Sequence, residues 1–198
     1  MYDLLTAVLI IALLGLSYLV WKRDRAPQHP AKTITRLPRH AAQTAGLTID
    51  LRGFTCGRTR LGAAPADGEF FTAALRTSDV FELEQEGFEL GTIEGNLDYL
   101  YLQLALFHGR FRANGTDLAL TTATTPSEIR ALFGEPYWTD DDDDETILFY
   151  EYEAGAIELQ FEFPGKQRLD VITLMRNGVL SKQEQRAAYR LTKPWPPA

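Results

Sequence analysis

Residues 137–163 read YWTDDDDDETILFYEYEAGAIELQFEF, and the second half of this stretch decides the fold. Around Ala154-Gly155 the apolar residues alternate, with Leu148, Tyr150 and Tyr152 before the pair and Ile157, Leu159, Phe161 and Phe163 after it. A period of two puts each set on one face of an extended chain, so the spacing predicts a β-hairpin closed by a small-residue turn. The intervening residues, Phe149, Glu151, Glu153, Glu158, Gln160 and Glu162, then fall on the opposite face. Asp140, Asp141, Asp142, Asp143, Asp144 and Glu145 form a loop beside it. The result is one acidic surface with Tyr137, Trp138 and Phe149 as aromatic anchors for a partner.

Working outward, RLDVITLM adds a third strand, with Leu169, Val171, Thr173 and Met175 alternating before a turn at Asn177-Gly178. Upstream, Thr125-Pro126-Ser127-Glu128 is a capping box with proline at the first helical position. It opens a short helix whose Ile129, Leu132 and Phe133 share a face and which Gly134 stops. Ser181–Glu184 is a second capping box, opening a helix through about Leu191 that carries Lys182, Arg186, Arg190 and Lys193. Its Ala187, Ala188 and Leu191 are expected to pack on the sheet or across the acidic half; a membrane-surface role is the alternative.

Sixty residues before the hairpin, FELGTIEGNLDYLYLQL repeats its spacing: Phe88, Leu90 and Thr92, then Gly95, then Leu97, Tyr99 and Tyr101. APADGEFFTAAL stands where TPSEIRALF stands in the later unit. The shared period predicts an α+β fold of two helix-plus-antiparallel-sheet modules, 47–115 and 116–180, followed by a C-terminal helix and tail, 181–198. The alternative is two ordinary hairpins that happen to share a spacing.

A short helix ending in LFGEP (Leu132–Pro136), then a loop, then a meander, resembles the SmpA/OmlA superfamily of envelope lipoproteins. In its tandem form, over about residues 60–178, it resembles the β-lactamase inhibitor proteins. The resemblance implies a non-enzymatic protein that binds other proteins through a sheet face and its loops.

The N-terminus adds a location. Leu4–Trp21 is predominantly apolar and carries no charge, long enough to span a thin bilayer, which predicts a transmembrane anchor over residues 1–21. No basic segment precedes it and no small-x-small site follows, which argues against the alternative of a cleaved signal peptide. Lys22, Arg23 and Arg25 follow it directly, so the positive-inside rule predicts a single-pass bacterial inner-membrane protein with its domain in the cytoplasm, the periplasm being the alternative. Residues 22–46, basic and proline-containing, read as a linker.

Charge divides along the chain. Residues 22–60 carry nine Lys/Arg against Asp24 and Asp50, whereas residues 116–166 carry Arg130 and Lys166 against thirteen acids, within a net charge of -7. Acidity disfavours direct nucleic-acid binding. The lone Cys56 forms no internal disulfide, and His29, His40 and His108 lack metal-ligand spacing. No nucleotide-loop or nucleophile-elbow motif occurs, so neither an enzyme nor a cofactor is expected.

Four readings of the acidic surface stay open: a solvated face, a dock for a basic protein surface, a calcium site without the EF-hand spacing, and paired-carboxylate catalysis. The functional expectation is a toxin-neutralising immunity protein with a basic protein partner; the alternative is an envelope assembly or scaffolding factor.

Overall fold

The computed structural model describes residues 42–197; the expected anchor (1–21) and most of the expected linker (22–46) lie outside the described residues. Among the described residues, no helix is long and apolar enough to cross a membrane. This part of the chain is α+β, with two antiparallel-rich sheets and three short helices, α1 (Thr72–Leu75), α2 (Pro126–Phe133) and α3 (Gln183–Ala188).

The alternating stretch forms β10 (Glu145–Tyr152) and β11 (Ile157–Pro164), with Tyr152 opposite Ile157 and Glu145 opposite Pro164. Ala154 and Gly155 turn the chain at positive φ, 54° and 82°. The capping box of α2 closes as its sequence requires: the Glu128 carboxylate accepts the Thr125 N–H at 2.7 Å, and the Thr125 hydroxyl accepts the Glu128 N–H at 3.3 Å. Ile129 and Phe133 are buried, while Leu132 is 46% exposed and leaves the face assigned to it. The Phe133 ring lies 5.1 Å from Phe161 and 5.8 Å from Tyr150, which fastens α2 to the hairpin.

Seven strands make the larger sheet, in the order β4 (Val80–Leu83), β5 (Phe88–Ile93), β6 (Asn96–Gln103), β12 (Val171–Arg176), β11, β10, β9 (Trp138–Asp141), every pair antiparallel. The smaller sheet runs β3 (Thr59–Arg60), β2 (Thr55–Cys56), β1 (Thr48–Asp50), β7 (Arg110–Ala113), β8 (Thr116–Leu118), with β1 and β7 parallel. One core joins them: Ile49, Cys56 and Phe111 of the smaller sheet cluster with Leu90, Leu100, Leu159 and Phe161 of the larger and with Ile129 of α2. Asp50 staples the smaller sheet, its carboxylate accepting N–H groups of Arg52, Gly53, Asn114 and Gly115 at 2.7–3.1 Å.

Two separate modules are not what folds. β6 of the first expected module pairs with β12 of the second, so 47–115 and 116–180 share one sheet and one core. Nor are the two meanders rotated copies. β6 and β11 both run antiparallel to β12 and hence parallel to each other, while the order β4-β5-β6 is reversed in β11-β10-β9. Leu90, Leu100, Leu174, Leu159 and Tyr150 are successive cross-strand partners and so share the core face. Reversed order with the same strand direction and the same inward face is a mirror relation, which no rotation of an L-chain module produces.

The shared spacing misleads at one residue. Gly91 pairs with Tyr99 but Thr92 with Leu97, so Asp98 is an extra residue, a β-bulge. A bulge inverts the alternation beyond it: Leu97, Leu100 and Leu102 enter the core, and Tyr99 and Tyr101 go to the outer face. Gly91 makes room for this, because a Cβ there would fall inside the Tyr99 ring. In β12 the core residues are Ile172 and Leu174, whereas Val171, Thr173 and Met175, though buried, point to the outer face.

Candidate functional site

The acidic stretch divides into a strand, a tip and a covered face. Trp138–Asp141 are β9, paired with β10 through Thr146 opposite Asp141 and Phe149 opposite Trp138. Only Asp142, Asp143 and Asp144 form the connecting loop. It is closed by bonds of its own: Asp142 N–H to the Glu145 carbonyl at 3.0 Å, Asp143 N–H to Asp142 Oδ1 at 2.7 Å, and Gly165 N–H to the Asp144 carbonyl at 2.7 Å. Asp141 binds Lys166 at 3.0 Å and accepts the Thr146 hydroxyl at 2.8 Å. Its carboxyl accordingly sits below the ordinary range, the hydrogen bond from Lys166 leading.

Asp142, Asp143 and Asp144 are exposed and form no ion pair among the described residues. Asp140 and Glu145, half-buried at the base of the tip, are both pushed up, first by burial and then by neighbouring aspartates.

The face assigned to a partner is instead covered by the chain's own C-terminus. Glu158 has no solvent exposure, Phe149 and Gln160 are buried, and Glu151 and Glu162 are largely so. Phe149, Glu158 and Gln160 are thereby closed to a partner in this conformation, as are both oxygens of Glu151. Alternation identified the face correctly but carried no information about what lies over it. Glu153 leaves the acidic surface altogether: at φ 51° in the turn, it reaches across to Arg60 of β3 at 2.6 Å.

Glu158 anchors the cover. Its carboxylate accepts the N–H groups of Val179 and Leu180 at 2.9 and 2.8 Å and the side-chain amide of Gln160. The turn Val179–Ser181 is thus held to the sheet at the start of the tail. A Cβ on Gly178 would collide with the Glu158 side chain, so glycine is what permits the approach. Beyond it, the expected Ser181 capping box does not form. The Ser181 hydroxyl donates to the Gly178 carbonyl at 2.6 Å, and α3 begins at Gln183 without a side-chain cap.

Tyr189 packs on Phe149 with ring centroids 5.2 Å apart, and Trp195 packs edge-on to Tyr137 at 5.8 Å. Tyr137 donates its hydroxyl to the Pro194 carbonyl at 2.5 Å, and its own carbonyl accepts from Lys193 at 2.6 Å. Tyr137 therefore serves the tail. Trp138 is half-buried, its indole N–H shut from solvent without an acceptor.

Glu151 stands directly opposite Glu158. Both its oxygens are buried and receive no N–H or O–H from the described residues. Its carboxyl is pushed up to about 11, by burial first, then by the hydrogen bond to and the charge of Glu158. Burial beside Glu158 thus favours the protonated form of Glu151, while the Glu158 oxygens are filled by amides. Glu162, two residues along the same face, is pushed up to about 7 by burial, Glu145 and Asp170. Tyr189 is raised as well, by burial and then by Asp140 and the glutamates around it.

The C-terminal segment was expected on the sheet or across the acidic half, but through Ala187, Ala188 and Leu191; Ala187 and Ala188 are exposed, and the contacts are made by Tyr189, Pro194 and Trp195, which the sequence reading missed. A signal did exist: Val171–Met175 is almost continuously apolar, the pattern of a strand buried on both faces, which requires a cover for the outer one. Among the described residues no group of three His, Cys, Asp or Glu is arranged to hold a metal ion. Cys56 is buried, and burial raises its thiol.

No family model matches the chain, and no curated protein matches it. Among solved structures it is similar to a DUF4309 family protein (YjgB) from Bacillus subtilis, at 17% identity and a TM-score of 0.32, over 50% of this chain and 63% of that one. The match spans less than two thirds of that chain's length.

Proposed function

We propose that this is a membrane-anchored, non-catalytic protein-binding protein that docks a basic surface of its partner against the β9–β10 hairpin tip, acting as an immunity protein that neutralises a cognate toxin. One observation carries the reading: Asp142, Asp143 and Asp144 are exposed without an ion pair among the described residues, at the tip of a hairpin closed by its own hydrogen bonds. Charges held on a fixed support cost little ordering on binding and accelerate encounter with an opposite field, by 10-fold or more at low salt. Against catalysis stands the burial of the one carboxyl pair with opposed protonation, since Glu158 and both oxygens of Glu151 are closed to a substrate. The envelope-assembly alternative shares the tip but needs the domain on the other side of the membrane.

The test is the association rate between the tagged full chain and the protein that copurifies with it, measured against ionic strength. Exchanging Asp142, Asp143 and Asp144 together for Asn is expected to slow association at least about tenfold at low salt and to flatten the salt dependence. An unchanged rate removes the tip from the contact. Reporters fused after Ala198 then separate the two biological settings: a cytoplasmic signal keeps a toxin of that compartment as partner, and a periplasmic one favours envelope assembly.

A further inference from the structure

The tail lies over a face rich in carboxyls yet brings none of its cations to them. Lys182, Arg186, Arg190 and Lys193 form no ion pair among the described residues. Arg186 donates to the Leu180 and Ser181 carbonyls at 2.8 Å and lies 5.0 Å over the Trp195 ring, and Lys193 is spent on the Tyr137 carbonyl. Beneath them Glu151 has two buried oxygens without a donor, opposite a Glu158 whose oxygens are already filled. Two buried carboxyls on directly paired positions resist ionising together, because buried like charges repel strongly.

The cover that enforces this burial is thin. No residue of α3 is buried, and from Lys182 onward every described residue is exposed or half-buried. The indole N–H of Trp138, on the same face, is buried without an acceptor.

We propose that residues 182–197 are a proton-held latch: the tail stays closed while Glu151, buried opposite Glu158, holds its proton, and leaves the face when that proton is lost, uncovering Tyr137 and Phe149. Hydration of Glu151 as a free carboxylate is the gain on opening. The surrounding groups favour the same direction. Asp140 of β9, Glu145 of β10 and Glu162 of β11 act on Tyr189, Glu145 and Asp170 act on Glu162, and Glu151 acts on Tyr137. All are acidic or neutral, and Glu162 becomes a further like charge as pH rises through about 7. Arg186, whose charge acts on Tyr137, has its guanidinium engaged by the Leu180 and Ser181 carbonyls.

The sign follows from which state holds the proton more tightly. Burial raises Glu151 in the closed state, so closure is fully supported below the ordinary carboxyl range. Above that range the closed-to-open ratio falls tenfold per pH unit for one proton. This inference does not depend on the hairpin tip.

The test uses the full chain labelled with 5-fluorotryptophan, following the fluorine resonance of Trp195 from about pH 5 to 9.5, with Trp195→Phe to assign it. The expected result is a stacked Trp195 at the acid end, replaced by a solvent-exposed one with the open fraction growing up to tenfold per unit. Glu151→Gln, whose amide still donates to Glu158, should hold the tail closed across the range. A Trp195 signal independent of pH overturns the proposal. So does a Glu151→Gln chain that opens like the parent, or a profile flattened by Glu162→Gln and not by Glu151→Gln. A tail closed at pH 9 that Arg186→Gln opens overturns it too, by showing that Arg186 compensates the ionised Glu151.

Discussion

Exchanging Glu158 for Gln preserves the volume of the side chain and one acceptor oxygen, and thereby isolates what the second oxygen and the charge contribute. In the parent, Oε1 accepts Val179 N–H and Oε2 accepts Leu180 N–H, with the Gln160 amide as a third donor. A glutamine must present its NH2 to one of the two backbone donors. A hydrogen bond to a charged acceptor contributes about 1.5–3 kcal/mol, and a buried donor left without one costs about 1–3 kcal/mol, two descriptions of largely the same loss. Removing a fully buried negative charge offsets part of this. The net expectation is about 2–4 kcal/mol of destabilisation, a fall in Tm of roughly 4–16 °C for a domain of this size. Denaturant unfolding at pH 6, where Glu151 holds its proton, measures the total. Amide exchange at Val179 and Leu180 shows whether the loss is local. A change below about 1 kcal/mol, with both amides as protected as before, would refute the assignment of Glu158 as the anchor of the tail.

Two further outcomes are expected. Gly91→Ala places a methyl inside the Tyr99 ring and should cost at least about 2 kcal/mol in thermal unfolding, while Gly91→Ala combined with Tyr99→Ala should recover part of it, because overpacking is relieved by removing the neighbour. Burial pulls the Asp50 carboxyl up, but four backbone N–H groups outweigh that and hold it below its ordinary value. Its contribution is therefore present above about pH 4 and lost as pH falls through the folded value. Asp50→Asn should cost about 1–2 kcal/mol at pH 7 and progressively less toward pH 2, read by urea unfolding at both.

What the sequence made legible was local. The Thr125–Glu128 box and the Ala154-Gly155 turn each state their geometry within a few residues, and both form. Tyr99 and Tyr101 were assigned to the wrong face because a single bulge residue, Asp98, inverts parity without leaving a compositional mark. Glu158 and Gln160 were read as surface because alternation separates two faces but does not say which meets water. The cover is a tail whose helix buries nothing and lacks its expected cap, so periodicity has little to register there. The matching spacing of the two meanders describes two ordinary hairpins, and their mirror arrangement emerges only from the strand order.

The position of β12 governs when the fold can exist. It is the last strand in the chain yet lies in the middle of the larger sheet, between β6 and β11. Until residues 171–176 have been synthesised, each meander has a naked edge, with β6 and β11 both offering unpaired backbone groups to any extended chain nearby. One strand then seals both edges, bringing Thr173 to Tyr101 and Gln160 together, a closure that spans much of the domain and is slow for that reason. A nascent chain, or one truncated before Val171, therefore presents two adhesive edges at once.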